Sequence, residues 1–214
     1  MRTTVNRPSF RFPAAAVAAV AIGCSLLLAG CASEERRSHT VFDFGPVVPA
    51  MQAAAAPRPA AIVVMDVTGP ATLDTERMFY RLNYADAQQA RTYATSRWSA
   101  TPVNLVTQRV KARLAQAGIK VLSATDAATG VPVLRIEIDD FVHAFASAGQ
   151  SEGQILLRAS VFQEHRLLDQ RNLRRNVPAP SQDAAGGAAA LAAATDQVAA
   201  DLLAWLASLD TRGK

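Results

Sequence analysis

Apolar residues change their spacing several times along the chain, and each change marks an element. From Ala14 to Ala29 they form an almost unbroken run, followed by a polar, charged stretch from Ala32 to His39. "TVFDFGP" (40–46) reads as a short strand entering a turn at Gly45-Pro46. "VVPAMQAAAAPRPA" (47–60) is rich in Ala and Pro and predicts an irregular connection. "AIVVMDV" (61–67) is continuously apolar and stops at Gly69-Pro70, the pattern of a buried strand. "MFYRLNYA" (78–85) and "ARTYATSRW" (90–98) carry aromatic residues in strand-like runs on either side of Asp86-Ala87-Gln88.

The period then lengthens. Val103, Val106, Val110, Leu114 and Ala117 recur three or four apart, so 102–117 predicts a helix with Arg109, Lys111, Arg113 and Gln116 elsewhere on its surface. Thr101 before Pro102 suits its start, and Gly118 its stop. Strand character returns in "IKVLSA" (119–124) and in "VPVLRIEIDDFVHAF" (131–145), where Leu134, Ile136 and Ile138 alternate with Arg135, Glu137 and Asp139. "GQILLRASVFQE" (153–164) and "RLLDQRNLRRNV" (166–177) predict two more strands joined near Glu164-His165. An Ala-rich helix closes the chain from Ala184 to Leu209, with Leu191, Thr195, Val198, Leu202, Trp205 and Leu209 as its inward stripe. These elements predict a mixed α/β domain, with parallel pairing across the helical connection and antiparallel pairing in the hairpins.

The first apolar run is of another kind. Arg2, Arg7 and Arg11 precede it, small residues end it, and it is shorter than the ~20 residues of an ordinary spanning helix. Leu28-Ala29-Gly30-Cys31 resembles a bacterial lipobox, in which the thiol receives a diacylglycerol and the new amino terminus an acyl chain. The expected organisation is a lipoprotein signal peptide over 1–30, a lipidated tether and linker with a short strand over 31–60, and an α/β domain over 61–210. Cys31 is the expected lipidation site. Two or more acyl chains hold a protein stably on a membrane, where one holds it marginally. Ala32 is not the aspartate that retains enteric lipoproteins at the inner membrane, so the expected destination is the outer membrane, facing the periplasm.

Cleavage before Cys31 changes the charge. The 214-residue chain falls to 184, and losing three arginines leaves 19 Lys+Arg against 18 Asp+Glu. A near-neutral mature protein lacks the strongly basic footprint of a nucleic-acid binder. Cys24 leaves with the signal and Cys31 is consumed by lipid, which excludes disulfides and thiolate metal sites in the mature chain.

Motifs of chemistry are sparse. The sequence contains no P-loop, G-x-G-x-x-G, G-x-S-x-G or H-E-x-x-H pattern, and "AAGGAAA" is a helix entry or linker run. In "DDFVH", strand parity would put Asp139 and His143 on one face and Asp140 on the other; two ligands make a poor site, and a solvated strand end fits better. His39 sits in the tether and His165 at a turn. Arg171, Arg174 and Arg175 in "RNLRR" fit either a patch for headgroups or acidic partners, or a solvated strand that deters edge pairing, which is the favoured reading. Phe79, Tyr80, Tyr84, Tyr93 and Trp98 fit a core, although Arg81 and Arg97 among them leave room for an interface. No enzyme activity and no cofactor are expected.

The segment 73–118 resembles the ABC-type transport auxiliary lipoproteins, the PqiC-like family. The matching residues are Leu73, Asp74, Met78, Tyr80 and Arg81, then Tyr93, Ala94 and Trp98, then a helix opening at Pro102; "FDFGP" (42–46) is similar to the family's opening strand. The resemblance implies a three-layer mixed sheet with flanking helices, anticodon-binding-domain-like. It also implies a non-enzymatic partner of an ABC transporter that uses a periplasmic MCE (mammalian cell entry) protein. Such systems move phospholipids or related hydrophobic molecules between the inner and outer membranes. The permease and ATPase would be other chains, and the resemblance leaves room for a homo-oligomeric ring. A different possibility is a lipid-binding module that carries one lipid in its own cavity.

Overall fold

The computed structural model describes residues 39–48, 59–126 and 129–209. Eight strands and two α-helices follow in the order β1 (Thr40–Phe42), β2 (Ala61–Val64), β3 (Arg77–Leu82), β4 (Ala90–Trp98), α1 (Pro102–Gln116), β5 (Lys120–Leu122), β6 (Val133–Ser147), β7 (Gln150–Gln163), β8 (Arg166–Pro178) and α2 (Ala184–Ser208). All eight strands join one mixed sheet.

β6 is its spine. β7 pairs antiparallel along β6, and β8 pairs antiparallel with β7. Glu164 and His165 make the β7–β8 turn with φ of 48° and 65°, the left-handed pair that matches the twist of a two-residue hairpin. On the other edge of β6 two short strands lie in succession. β2 pairs parallel at Val63↔Val133 and Val64↔Leu134, and β3 pairs parallel from Tyr80↔His143 to Leu82↔Phe145. Thr68 bridges the gap by donating to Ile136 (3.1 Å) and accepting from the Ile138 amide (2.8 Å). β5 then flanks β2, while β4 and β1 flank β3.

The alternation read in 133–139 sorts the two faces: Leu134, Ile136 and Ile138 are buried, while Arg135, Glu137 and Asp139 are exposed. α1 contributes Val103, Val106, Val110 and Leu114 to the same core that receives Leu191, Val198, Leu202 and Trp205 of α2. Both helices therefore cover one face of the sheet. The expected three layers become two among the described residues: both helices share one face, and Arg135, Glu137 and Asp139 of β6 point the other way. By length and composition α2 could cross a membrane. Its stripe Leu191, Thr195, Val198, Leu202 and Trp205 is buried against the sheet instead, as the periodicity predicted.

Helix ends follow partly from sequence. Gly118 ends α1 at φ 86°, with its amide bonded to Ala115 and the Ile119 amide to Leu114, so two terminal carbonyls are satisfied. Thr101 occupies the position before Pro102, but its hydroxyl makes no cap and, among the described residues, is buried without a partner. Asp183 does cap α2, accepting from the Gly186 amide at 2.8 Å.

Candidate functional site

The segment that enters the domain is held by side chains of α1. β1 adds to the β4 edge, and Phe44 sets its ring edge-on against Trp98 at 5.7 Å. The Asp43 carboxylate accepts from the Gly45 amide (2.7 Å), turning the chain toward α1. Arg109, only 4% exposed, donates to the carbonyls of Phe44, Gly45 and Pro46. One helical turn later Arg113 donates to the Val48 carbonyl (2.6 Å), and Gln116 reaches Val47 at 3.4 Å. Five successive carbonyls of an irregular segment thus find donors on one helix, which is what lets that segment lie against the domain.

Asp196 of α2 holds the two arginines in place. It takes a two-pronged contact from Arg113 (2.8 and 2.6 Å) and lies 3.7 Å from Arg109. The carboxylate raises Arg113 above its ordinary value. Sequence periodicity placed Arg109, Arg113 and Gln116 simply on the helix surface; the carbonyls they bind come from far earlier in the chain, and no local pattern marks them. Residues 40–48, read in sequence as part of the tether and linker, are seated on the sheet and α1.

A second cluster lies under the start of α2. His143, fully buried, shares a hydrogen bond with the Tyr93 hydroxyl at 2.7 Å and lies tilted against the Phe145 ring at 4.4 Å, while Tyr80 sits 4.7 Å from Tyr93. Burial pushes the imidazole down to about 4 against a smaller upward pull from Asp183. Burial also raises the Tyr93 hydroxyl, so at neutral pH the pair is uncharged. Among the described residues His143 Nε2 has no hydrogen-bond partner. α2 approaches closely enough that a Cβ on Gly187 would stand 2.4 Å from His143 Nδ1, and one on Gly153 2.6 Å from the Leu191 nitrogen. "AAGGAAA" is thus the first turns of a helix whose small residues allow backbone contact with the sheet.

The candidate residues of the sequence separate in the structure. Between Ile138 and Asp140 the β6–β7 register shifts, so the parity argument for "DDFVH" fails. His143 turns into the core, Asp139 pairs with Arg158 (3.4 Å), and Asp140 pairs with Arg81 (3.1 Å). His143 is therefore not at a solvated strand end. Among the described residues no three His, Cys, Asp or Glu side chains gather as a metal site. Trp98 and Met78 are core, Tyr84 is exposed, and Arg97 lies 3.9 Å from Glu76. Arg175 pairs with Asp201 at 2.5 Å, Arg171 lies 3.6 Å from Asp169 and over the Trp205 ring, and β8, which pairs only with β7, is an edge strand. Together with Arg174 they line an open groove of about 480 Å³ beside α2. His39 lines a second cleft of about 490 Å³ with Arg77, Thr92, Ser96 and Arg97. Cys31 lies outside the described residues.

These features describe a mixed α/β domain built around a gripped entry segment and a tightly seated helix. The chain belongs to the ABC-type transport auxiliary lipoprotein component family, which it matches over residues 42–202. A solved Xanthomonas campestris protein of the DUF330 family is similar at 21% identity and TM-score 0.68, over 78% of this chain and 95% of that one. An uncharacterized protein of known structure is similar at 12% identity and TM-score 0.61, over 79% and 99%. A PelC dodecamer structure from Paraburkholderia phytofirmans gives 13% identity and TM-score 0.41, over 72% and 93%. No curated protein matches the sequence.

Proposed function

We propose that this chain is a non-enzymatic outer-membrane lipoprotein, PqiC-like, that docks the periplasmic MCE protein of an ABC-type system moving phospholipids or other hydrophobic molecules between the membranes. Family membership across residues 42–202, which takes in β2 to β8, all of α1 and most of α2, carries this reading. In it, residues 1–30 are removed and Cys31 carries the S-diacylglycerol and N-acyl chains. The α/β domain works in the periplasm, and the permease and ATPase are other chains. The anticodon-binding-like architecture and a homo-oligomeric ring belong to the same reading, through the family resemblance. The observed grooves are open and lined by arginines, which favours docking over carriage of a lipid in an internal cavity.

In-cell crosslinking of affinity-tagged protein, followed by mass spectrometry of the recovered chains, tests it. An MCE-domain protein recovered with the native chain, and much less with Cys31→Ser, is the expected result. Recovery of only outer-membrane or cell-wall proteins, under conditions that capture a known conduit pair, would overturn it.

A further inference from the structure

We propose that the β4 edge of the sheet, from the β3–β4 hairpin to the cleft at His39, faces the phospholipid headgroups of the leaflet that holds the Cys31 lipid. This rests on the anchoring reading above and adds an orientation to it. Three observations converge on that edge.

The first is direction. β1 runs parallel to β4 with Thr40↔Ser96 and Phe42↔Trp98, so the chain enters the domain from the side of Ala90, where the β3–β4 hairpin turns. The second is length. Seven residues lie between Cys31 and His39, and the eight steps of a fully extended chain cover at most ~29 Å. β6 and β7, with 15 and 14 residues, each run on the order of 45 Å. The Glu164-His165 turn lies at the other end of that long hairpin from the end shared by Leu82 and Phe145. The domain thus presents its near end, with the β4 edge, to the membrane.

The third is chemistry. Arg77 and Arg97 line the cleft with His39, Thr92 and Ser96. Arg77 has no ion-pair partner among the described residues, and Arg97 and Glu76 are both half exposed at 3.9 Å, a loose pair that leaves the guanidinium available. Guanidinium forks and hydroxyls are the groups that bind phosphate oxygens. At the hairpin Tyr84 is 53% exposed, the kind of half-apolar ring that settles at headgroup depth. The neighbouring Asp86 carboxylate is engaged by the Gln88 amide at 2.9 Å.

The mature chain has no thiol besides Cys31, so an introduced cysteine can be labelled alone. The lipidated protein would carry a fluorophore at Gln88→Cys in the hairpin or at Arg166→Cys beyond the far turn, in phosphatidylethanolamine–phosphatidylglycerol vesicles doped with headgroup-spin-labelled lipid. Quenching several-fold stronger at Gln88→Cys, and reduced by adding Tyr84→Ser, Arg77→Glu and Arg97→Glu while the protein stays on the vesicles, is the expected result. Equal quenching at both sites, or more at Arg166→Cys, overturns the orientation. Quenching at Gln88→Cys by a spin-labelled second copy in place of lipid also overturns it, because the edge then faces another protomer. Loss of the native protein from vesicles in a high-salt wash would remove the anchoring reading itself, and the orientation with it.

Discussion

The two helices hold the domain together by opposite means. α2 comes in close: glycine and alanine let its backbone approach β6 and β7, so its fit is limited by the volume of a methyl group. α1 reaches out: Arg109, Arg113 and Gln116 extend to carbonyls of 44–48, so its hold depends on long side chains and on Asp196 behind them. A close-packed contact should fail when atoms are added, and a reaching contact when atoms are removed.

Adding one carbon where β7 meets the backbone of α2 is the strongest challenge. Gly153→Ala places its Cβ 2.6 Å from the Leu191 nitrogen and 2.7 Å from the Ala190 carbonyl carbon. These are backbone atoms that cannot swing aside, so chemical denaturation should show a loss of about 3 kcal/mol, the upper part of the usual overpacking range.

Truncating the reach comes next. Arg109→Met keeps much of the buried stem but removes the donors for three carbonyls. A loss of about 2 kcal/mol is expected. Hydrogen exchange should quicken across 40–48 while α2 stays protected; equal loosening of both regions would break the comparison.

Acid sharpens the α2 side. Folded His143 titrates at about 4 and its ordinary value is 6.5, so the unfolded chain takes up the proton first as pH falls. The stability from keeping it neutral is full above about 6.5 and is lost on the way down to 4. Between pH 7 and 5 the loss should be about 2 kcal/mol, and His143→Asn should flatten that part of the profile. The smallest effect is expected from Tyr93→Phe, about 1 kcal/mol by thermal melting, since it removes one hydroxyl partner from the imidazole.

Most elements were legible in the pattern of residues. β4 was read with its observed bounds, and α1 and α2 with ends within a residue or so, because period and punctuation agree there. What was not legible depends on contacts across the chain. The register shift after Ile138 carries no glycine or proline to announce it, yet it decides that His143 points inward. Arg109 reads as a surface residue on a helical wheel; its burial follows from carbonyls more than sixty positions earlier. The family pattern drew attention to Tyr80, Tyr93 and Trp98, and the structure gives them packing and hydrogen-bonding tasks.

The end-to-end placement of β2 and β3 along β6 bears on the order in which the molecule assembles. β6, β7 and β8 form a meander of neighbours in sequence, joined by short turns, and can find one another quickly. β2 and β3 each close a much longer loop, and each needs a different half of β6 already in register. The meander should therefore form first and serve as the ruler for the rest. Pulsed hydrogen exchange during refolding should protect amides in 133–178 before those in 61–68 and 79–82; simultaneous protection would mean that the whole sheet condenses at once.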